Sequence, residues 1–173
     1  MTARALPPVE LLRERLSYDP ATGGLTWKYR SDAIKMWNTR YAGKPAGSQS
    51  RDGYIYVAID TVDFVAHRLI FKMMTGEDPT DEVDHRNGRR NDNRWGNLRA
   101  ATINQNRRNQ RPKNRGGRLP KGVYFHKARR RFAAQIKHNS RVIYLGLHDT
   151  PEAAHAAYAA ASTRYHGAFG RVA

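Results

Sequence analysis

The stretch from Val83 to Asn106, VDHRNGRRNDNRWGNLRAATINQN, restricts the fold more than any other part of this chain. Val83-Asp84-His85 and Asn97-Leu98-Arg99 flank a loop dense in Asn, Asp and Gly, a composition that predicts two short strands joined as a ribbon. Thr102 follows closely. Thr is a good N-cap, so a helix carrying Asn104 to about Gln110 is predicted, with Asn106 projecting from it. A ββα element of this kind can place Asp84, His85 and Asn106 around one point.

The chemistry of those three side chains is complementary. A neutral imidazole can take a proton from water at physiological pH, which makes His85 a candidate general base. A carboxylate and an amide oxygen, with waters in the remaining positions, suit a hard octahedral cation. Asp84 and Asn106 are therefore candidate ligands for Mg²⁺, with Mn²⁺ as the expected substitute. A divalent ion stabilises negative charge building on a phosphate. Taken alone, Asp-His is an ordinary polar turn, and Asn97 and Asn106 are a turn residue and an exposed helix residue. The spacing, together with the charge of the chain, shifts the balance to phosphodiester hydrolysis.

That charge is large. The 173 residues hold 31 Lys and Arg against 15 Asp and Glu, a net +16, and from Asn93 through His148 there is no acid while 15 Lys and Arg fall there. Neutralising phosphates releases condensed counterions, so nucleic acid is the first-choice partner; double-stranded DNA is the expected one, and no small-molecule substrate is expected. Arg68, Arg89, Arg90, Arg94, Arg99, Arg107, Arg108, Arg111, Lys113, Arg115, Arg129, Arg130, Arg131, Lys137 and Arg141 are the candidate DNA contacts. Each of them is individually as well explained as solvated surface charge. Zero cysteines exclude disulfides and thiolate zinc fingers. No apolar run approaches the ~20 residues of a membrane span, and MTARALPPVELLRERL lacks a signal-peptide core. A soluble, cytoplasmic chain with no membrane partner is expected, monomeric, with a dimer as the alternative. His126, His138, His148, His155 and His166 lack metal-ligand spacing, and His67 reads as a structural histidine at a helix start, with a supporting or phosphate contact in the site as the alternative.

Elsewhere the pattern predicts a helix over Val9–Leu16, turn chemistry over Tyr18–Gly24, a strand at Leu25–Trp27, and a loop through residues 30–50. A hairpin over Tyr54–Ile59 and Asp63–Val65 and a helix over His67–Met74 come next. Arg107–Lys121 has two prolines, two adjacent glycines and no apolar periodicity, which reads as a basic linker. Beyond it, strands are predicted at Gly122–His126, Arg131–Lys137 and Arg141–Leu147. A final helix starts at Thr150-Pro151, with Thr150 as N-cap, and stops at Gly167.

Two resemblances sharpen this reading. From about Gly53 to Asn109, through His67-Arg68-Leu69, Asp84-His85, Asp92-Asn93, Asn97-Leu98-Arg99, Thr102 and Asn106, the chain resembles the HNH homing endonucleases of phages and introns. The resemblance implies that His85 is the general base, that Asp84 and Asn106 hold the metal, and that Asn97 ties the ribbon's loop together through backbone hydrogen bonds. Position 106 is Asn where many HNH enzymes carry His. Roughly residues 120–170 look like an AP2/ERF-type DNA-binding domain, on Lys121-Gly122-Val123-Tyr124, Phe132-Ala133-Ala134-Gln135-Ile136, Tyr144-Leu145-Gly146, Asp149-Thr150-Pro151-Glu152-Ala153-Ala154 and Tyr165-His166-Gly167. Phe132 stands where plant members usually have Trp. The expected architecture is α+β: an N-terminal extension over 1–50, an HNH nuclease core over 51–110, a basic linker over 111–120 and an AP2-like module over 121–173. The expected function is Mg²⁺-dependent DNA cleavage, one strand nicked per active site. The alternative is a non-catalytic DNA-binding regulator.

Overall fold

A computed structural model describes residues 5–110 and 119–172. It consists of two compact units, Met1–Ile103 and Asn104–Ala173.

The first unit begins with α1 (Val9–Arg15), which runs straight into β1 (Leu16–Tyr18), paired antiparallel with β2 (Leu25–Trp27). After α2 (Lys35–Tyr41) comes a three-stranded antiparallel sheet ordered β3 (Ser48–Gln49), β4 (Ile55–Ile59), β5 (Val62–Val65). The β4–β5 connection is a two-residue turn in which Asp60 and Thr61 both take positive φ, the geometry that matches the twist of the flanking strands. Helix α3 (Ala66–Thr75) follows and ends on Gly76 in the left-handed conformation. The ribbon is β6 (Glu82–His85) against β7 (Leu98–Ala101), in the register Glu82↔Ala101, Asp84↔Arg99, His85↔Leu98. One core serves all of these elements: Leu12, Leu16, Leu25, Val57, Leu69, Ile70, Val83 and Leu98 are buried together. Each such side chain contributes roughly 1.5–3 kcal/mol.

Two expectations are corrected here. Residues 30–50 are not a plain loop: they contain α2 and β3. Helix α2 has no apolar stripe, since Ile34 and Met36 are exposed at 67% and 72%. It is held by Asn38, whose amide accepts from the Arg30 N–H at 2.9 Å and donates to the Arg30 carbonyl at 2.7 Å, and by Trp37 set edge-on against Trp27. Leu16 and Tyr18 belong to a strand rather than to a helix end and a turn.

Helix α4 (Ile103–Asn109) crosses from the first unit into the second. There β8 (Val123–His126), β9 (Arg131–His138) and β10 (Arg141–His148) form an antiparallel sheet ordered β10-β9-β8, followed by α5 (Pro151–His166). Thr150 Oγ1 accepts from the Ala153 N–H at 3.2 Å, and Pro151 opens the helix. Ile136 packs with Tyr158 and Ala161 of α5. Lys137, on the alternate face of β9 and cross-strand from Val142, is exposed, as are Val142 and Tyr144. Arg111, Lys113 and Arg115, with most of the expected 111–120 linker, lie outside the described residues.

Candidate active site

The ribbon places its polar residues inward. Asp84 and His85 are each only 4% exposed, so their interactions are made in a low-dielectric setting where each must be satisfied. Register decides the partner of Asp84. Arg99 stands directly across the ladder and donates through Nε at 2.8 Å and Nη2 at 2.7 Å to the same carboxylate oxygen. The pair is buried on both sides. Arg99, expected among the DNA contacts, therefore has its guanidinium engaged inside the protein.

His85 is held by Asn93. The amide oxygen of Asn93 lies 3.0 Å from His85 Nε2. An amide oxygen only accepts, so Nε2 carries the hydrogen and Nδ1 carries the lone pair. Burial lowers the pKa of His85; the hydrogen bond to Asn93 and the carboxylates of Asp84 and Asp92 raise it, and Arg90 lowers it further. The net direction is downward, which keeps the imidazole neutral at neutral pH, the state a proton acceptor needs. The ring stands edge-on to His67 at 4.9 Å and 6.0 Å from Tyr54, over which Arg90 sits at 4.8 Å. His67 is itself buried. Burial, then His85, then Arg68, hold its pKa down at about 3.

Asn97 lies in a helical turn just before β7 rather than in the strand. Its side chain spans the loop: Oδ1 accepts from the Asn87 N–H at 3.0 Å, and Nδ2 donates to the Asp92 carbonyl at 2.6 Å. Asp92 accepts from Asn87 and from Arg94, and these bonds, that to Arg94 foremost, pull its carboxyl well below the usual range. The loop is also propped from the N-terminal hairpin. Tyr18 Oη donates to the Asn93 carbonyl at 2.8 Å, and the Trp95 N–H donates to the Pro20 carbonyl at 3.1 Å. Gly23, at φ +79°, lies so close that a Cβ there would be 2.5 Å from the Arg94 nitrogen. The segment read as turn chemistry thus supports the residue that orients His85.

The other expected contacts are placed as follows. Arg68 donates to the Asp81 carbonyl, Arg90 to the Asp52 carbonyl, and Arg94 to Asp92, all at exposed positions, and Arg89 is exposed. Asn106, Arg107 and Arg108 stand on α4 in the second unit. Arg129 and Arg130 occupy the exposed β8–β9 turn, Arg131 pairs with Asp149 at 2.8 Å, and Arg141 opens β10. Asn93 received no role from the sequence, although Asp92-Asn93 was part of the resemblance; one Asn among many in the loop carries no mark of its own. Arg99 could have been found by counting the ladder back from Asp84.

No helix among the described residues is long and apolar enough to cross a membrane. No curated protein and no solved structure matches the chain. Residues 64–108, from β5 through the ribbon and into α4, match the family model described as HNH endonuclease, and that match supports an HNH nuclease, a hydrolase acting on DNA.

Proposed function

We propose that this chain is a homing-type HNH endonuclease that hydrolyses double-stranded DNA with the help of Mg²⁺ and nicks one strand per active site. The observation that carries the proposal is the buried, neutral His85 with its tautomer set by Asn93. His85 Nδ1 takes a proton from the attacking water, whose oxygen bonds to phosphorus as the bond to the 3′-oxygen breaks, and a second water protonates that oxygen, leaving 5′-phosphate and 3′-hydroxyl. Asn93 holds the ring, and Asn97 holds the loop that carries Asn93. Asp84, and Asn106 on α4, would hold the metal. One carboxylate and one amide oxygen suit a hard ion that keeps most of its waters. When bound, that ion stabilises the charge developing on the phosphate and the leaving oxygen. The second unit, with its exposed sheet face and Arg129, Arg130, Arg131, Lys137 and Arg141, serves as an AP2-like module for affinity and register.

One observation favours the rival reading, a non-catalytic DNA-binding regulator: Asp84 is paired with Arg99, as a scaffold ion pair would be. Conversion of supercoiled plasmid to open-circular form, with and without Mg²⁺, separates the two. Cleavage that needs Mg²⁺ and vanishes in His85→Ala supports the nuclease. Tight binding with no cleavage at any Mg²⁺ concentration refutes it.

A further inference from the structure

The second unit contains an open cavity of about 450 Å³ whose lining includes Asn104, Arg107 and Arg108 of α4, Lys121, and His166 at the end of α5. Among the described residues, no acidic residue lines it. Its cations are positioned by the protein. Lys121 Nζ donates to the Arg108 and Gln110 carbonyls at 2.9 and 3.1 Å, fastening the end of α4, and His166 Nε2 lies 3.0 Å from the Lys137 carbonyl. Burial and the Arg171 charge lower the pKa of Lys121. Burial lowers that of His166, and although its bond to the Lys137 carbonyl opposes this, Arg108, His138 and Lys121 push it down further. Five cationic or protonatable residues, Arg107, Arg108, Lys121, Lys137 and His166, thus line one concavity, with no Asp or Glu among the described residues that line it. An anion of tetrahedral size and several acceptor oxygens is what such a site lacks. Ile136 and Tyr158, on the α5 side of the sheet, line the cavity together with Lys137, Asn139 and Ser140 at the β9–β10 end, so it opens on the helix side and reaches the sheet's edge.

We propose that this cavity seats a backbone phosphate of the bound DNA, giving the second unit a helix-side contact in addition to its sheet face. The proposal rests on the reading that duplex DNA is the ligand. It also gives α4, the helix that carries Asn106, a direct hold on the nucleic acid through Arg107 and Arg108.

The test uses the full-length chain. Duplex binding is followed by fluorescence anisotropy between about 50 and about 200 mM salt for wild type, for Arg107→Gln/Arg108→Gln, and for Arg164→Gln, a change on α5 outside the cavity. The double variant should bind unrelated duplexes more weakly to the same extent, with a salt slope shallower by about 0.9 for the phosphate lost, while Arg164→Gln keeps the wild-type slope. In wild type, saturation with DNA should move the His166 imidazole resonances toward the protonated form. An unchanged slope in a folded double variant, or an equal loss of slope in Arg164→Gln, overturns the proposal. If the double variant does not fold, the His166 shift alone decides, and its absence overturns the proposal. Inorganic phosphate that moves His166 while duplex DNA does not marks a free-anion site and overturns it as well. A chain that binds no duplex at all refutes the DNA reading on which the proposal rests, whereas a chain that binds duplex with His166 unmoved refutes the proposal alone.

Discussion

Acid should destabilise the first unit chiefly through His67. The folded imidazole is held at about 3 by burial, with the His85 and Arg68 charges adding to it, against an ordinary 6.5. Between those two values the unfolded chain carries a proton that the folded chain does not. Stability therefore rises with pH across this window and is lost as pH falls from 6.5 toward 3. At about pH 5 the unfolded group is roughly 1.5 pH units past its midpoint while the folded one is still neutral, and at about 1.4 kcal/mol per unit this costs about 2 kcal/mol. Urea unfolding followed by tryptophan fluorescence at about pH 8 and about pH 5 reads the difference directly. With slopes of about 1–3 kcal/mol per molar urea, the wild-type midpoint should fall by roughly 1–2 M. His67→Gln cannot titrate, and any packing it loses is present at both pH values and cancels. The variant should therefore lose about 2 kcal/mol less than wild type on acidification. If both lose the same amount, the burial of His67 is not what makes the unit acid-sensitive.

Four further outcomes are expected. His85→Ala should abolish plasmid nicking with little change in duplex affinity, and near wild-type nicking by the purified variant would remove His85 as the base. Asn93→Ala should lower kcat more than KM and alter the pH–rate profile, because the imidazole loses the acceptor that sets its tautomer; an unaltered profile would count against a positioning role. Asn97→Ala leaves the Asn87 N–H and the Asp92 carbonyl without their partners, which should cost about 1–3 kcal/mol and lower Tm by roughly 10 °C, measured by circular dichroism. Arg99→Leu removes the cationic partner of the buried Asp84 carboxylate and should cost about 3–5 kcal/mol. A variant as stable as wild type would show that the pair is not a structural requirement.

The elements legible in the sequence are those whose signals are local. Thr150-Pro151 announced α5 because a side-chain cap and a fixed φ act within one turn, and the ribbon declared itself through two short segments flanking a loop dense in turn-forming residues. Helix α2 gave no such signal, because Trp37 and Asn38 hold it through contacts with Trp27 and Arg30 rather than through an apolar stripe. Asp84 and His85 stood out by type and spacing. Their partners did not: Arg99 is selected by ladder register, and Asn93 by a loop path that only the folded chain defines. Counting basic residues gave Arg99 the same weight as the exposed arginines, since charge composition does not distinguish an inward guanidinium from an outward one.

The close approach of Gly23 to the Asn93–Arg94 backbone has a bearing on how such chains can be recombined. A hairpin tip without room for a methyl group and a loop pressed against it form a matched surface, so their sequences cannot drift independently. Chimaeras that exchange residues 1–50 between relatives while keeping a foreign 86–97 loop should fold poorly and cut slowly. Those that move residues 1–109 as a block, Asn106 included, should keep their activity. The hairpin, though remote in sequence from the histidine, is inherited with it.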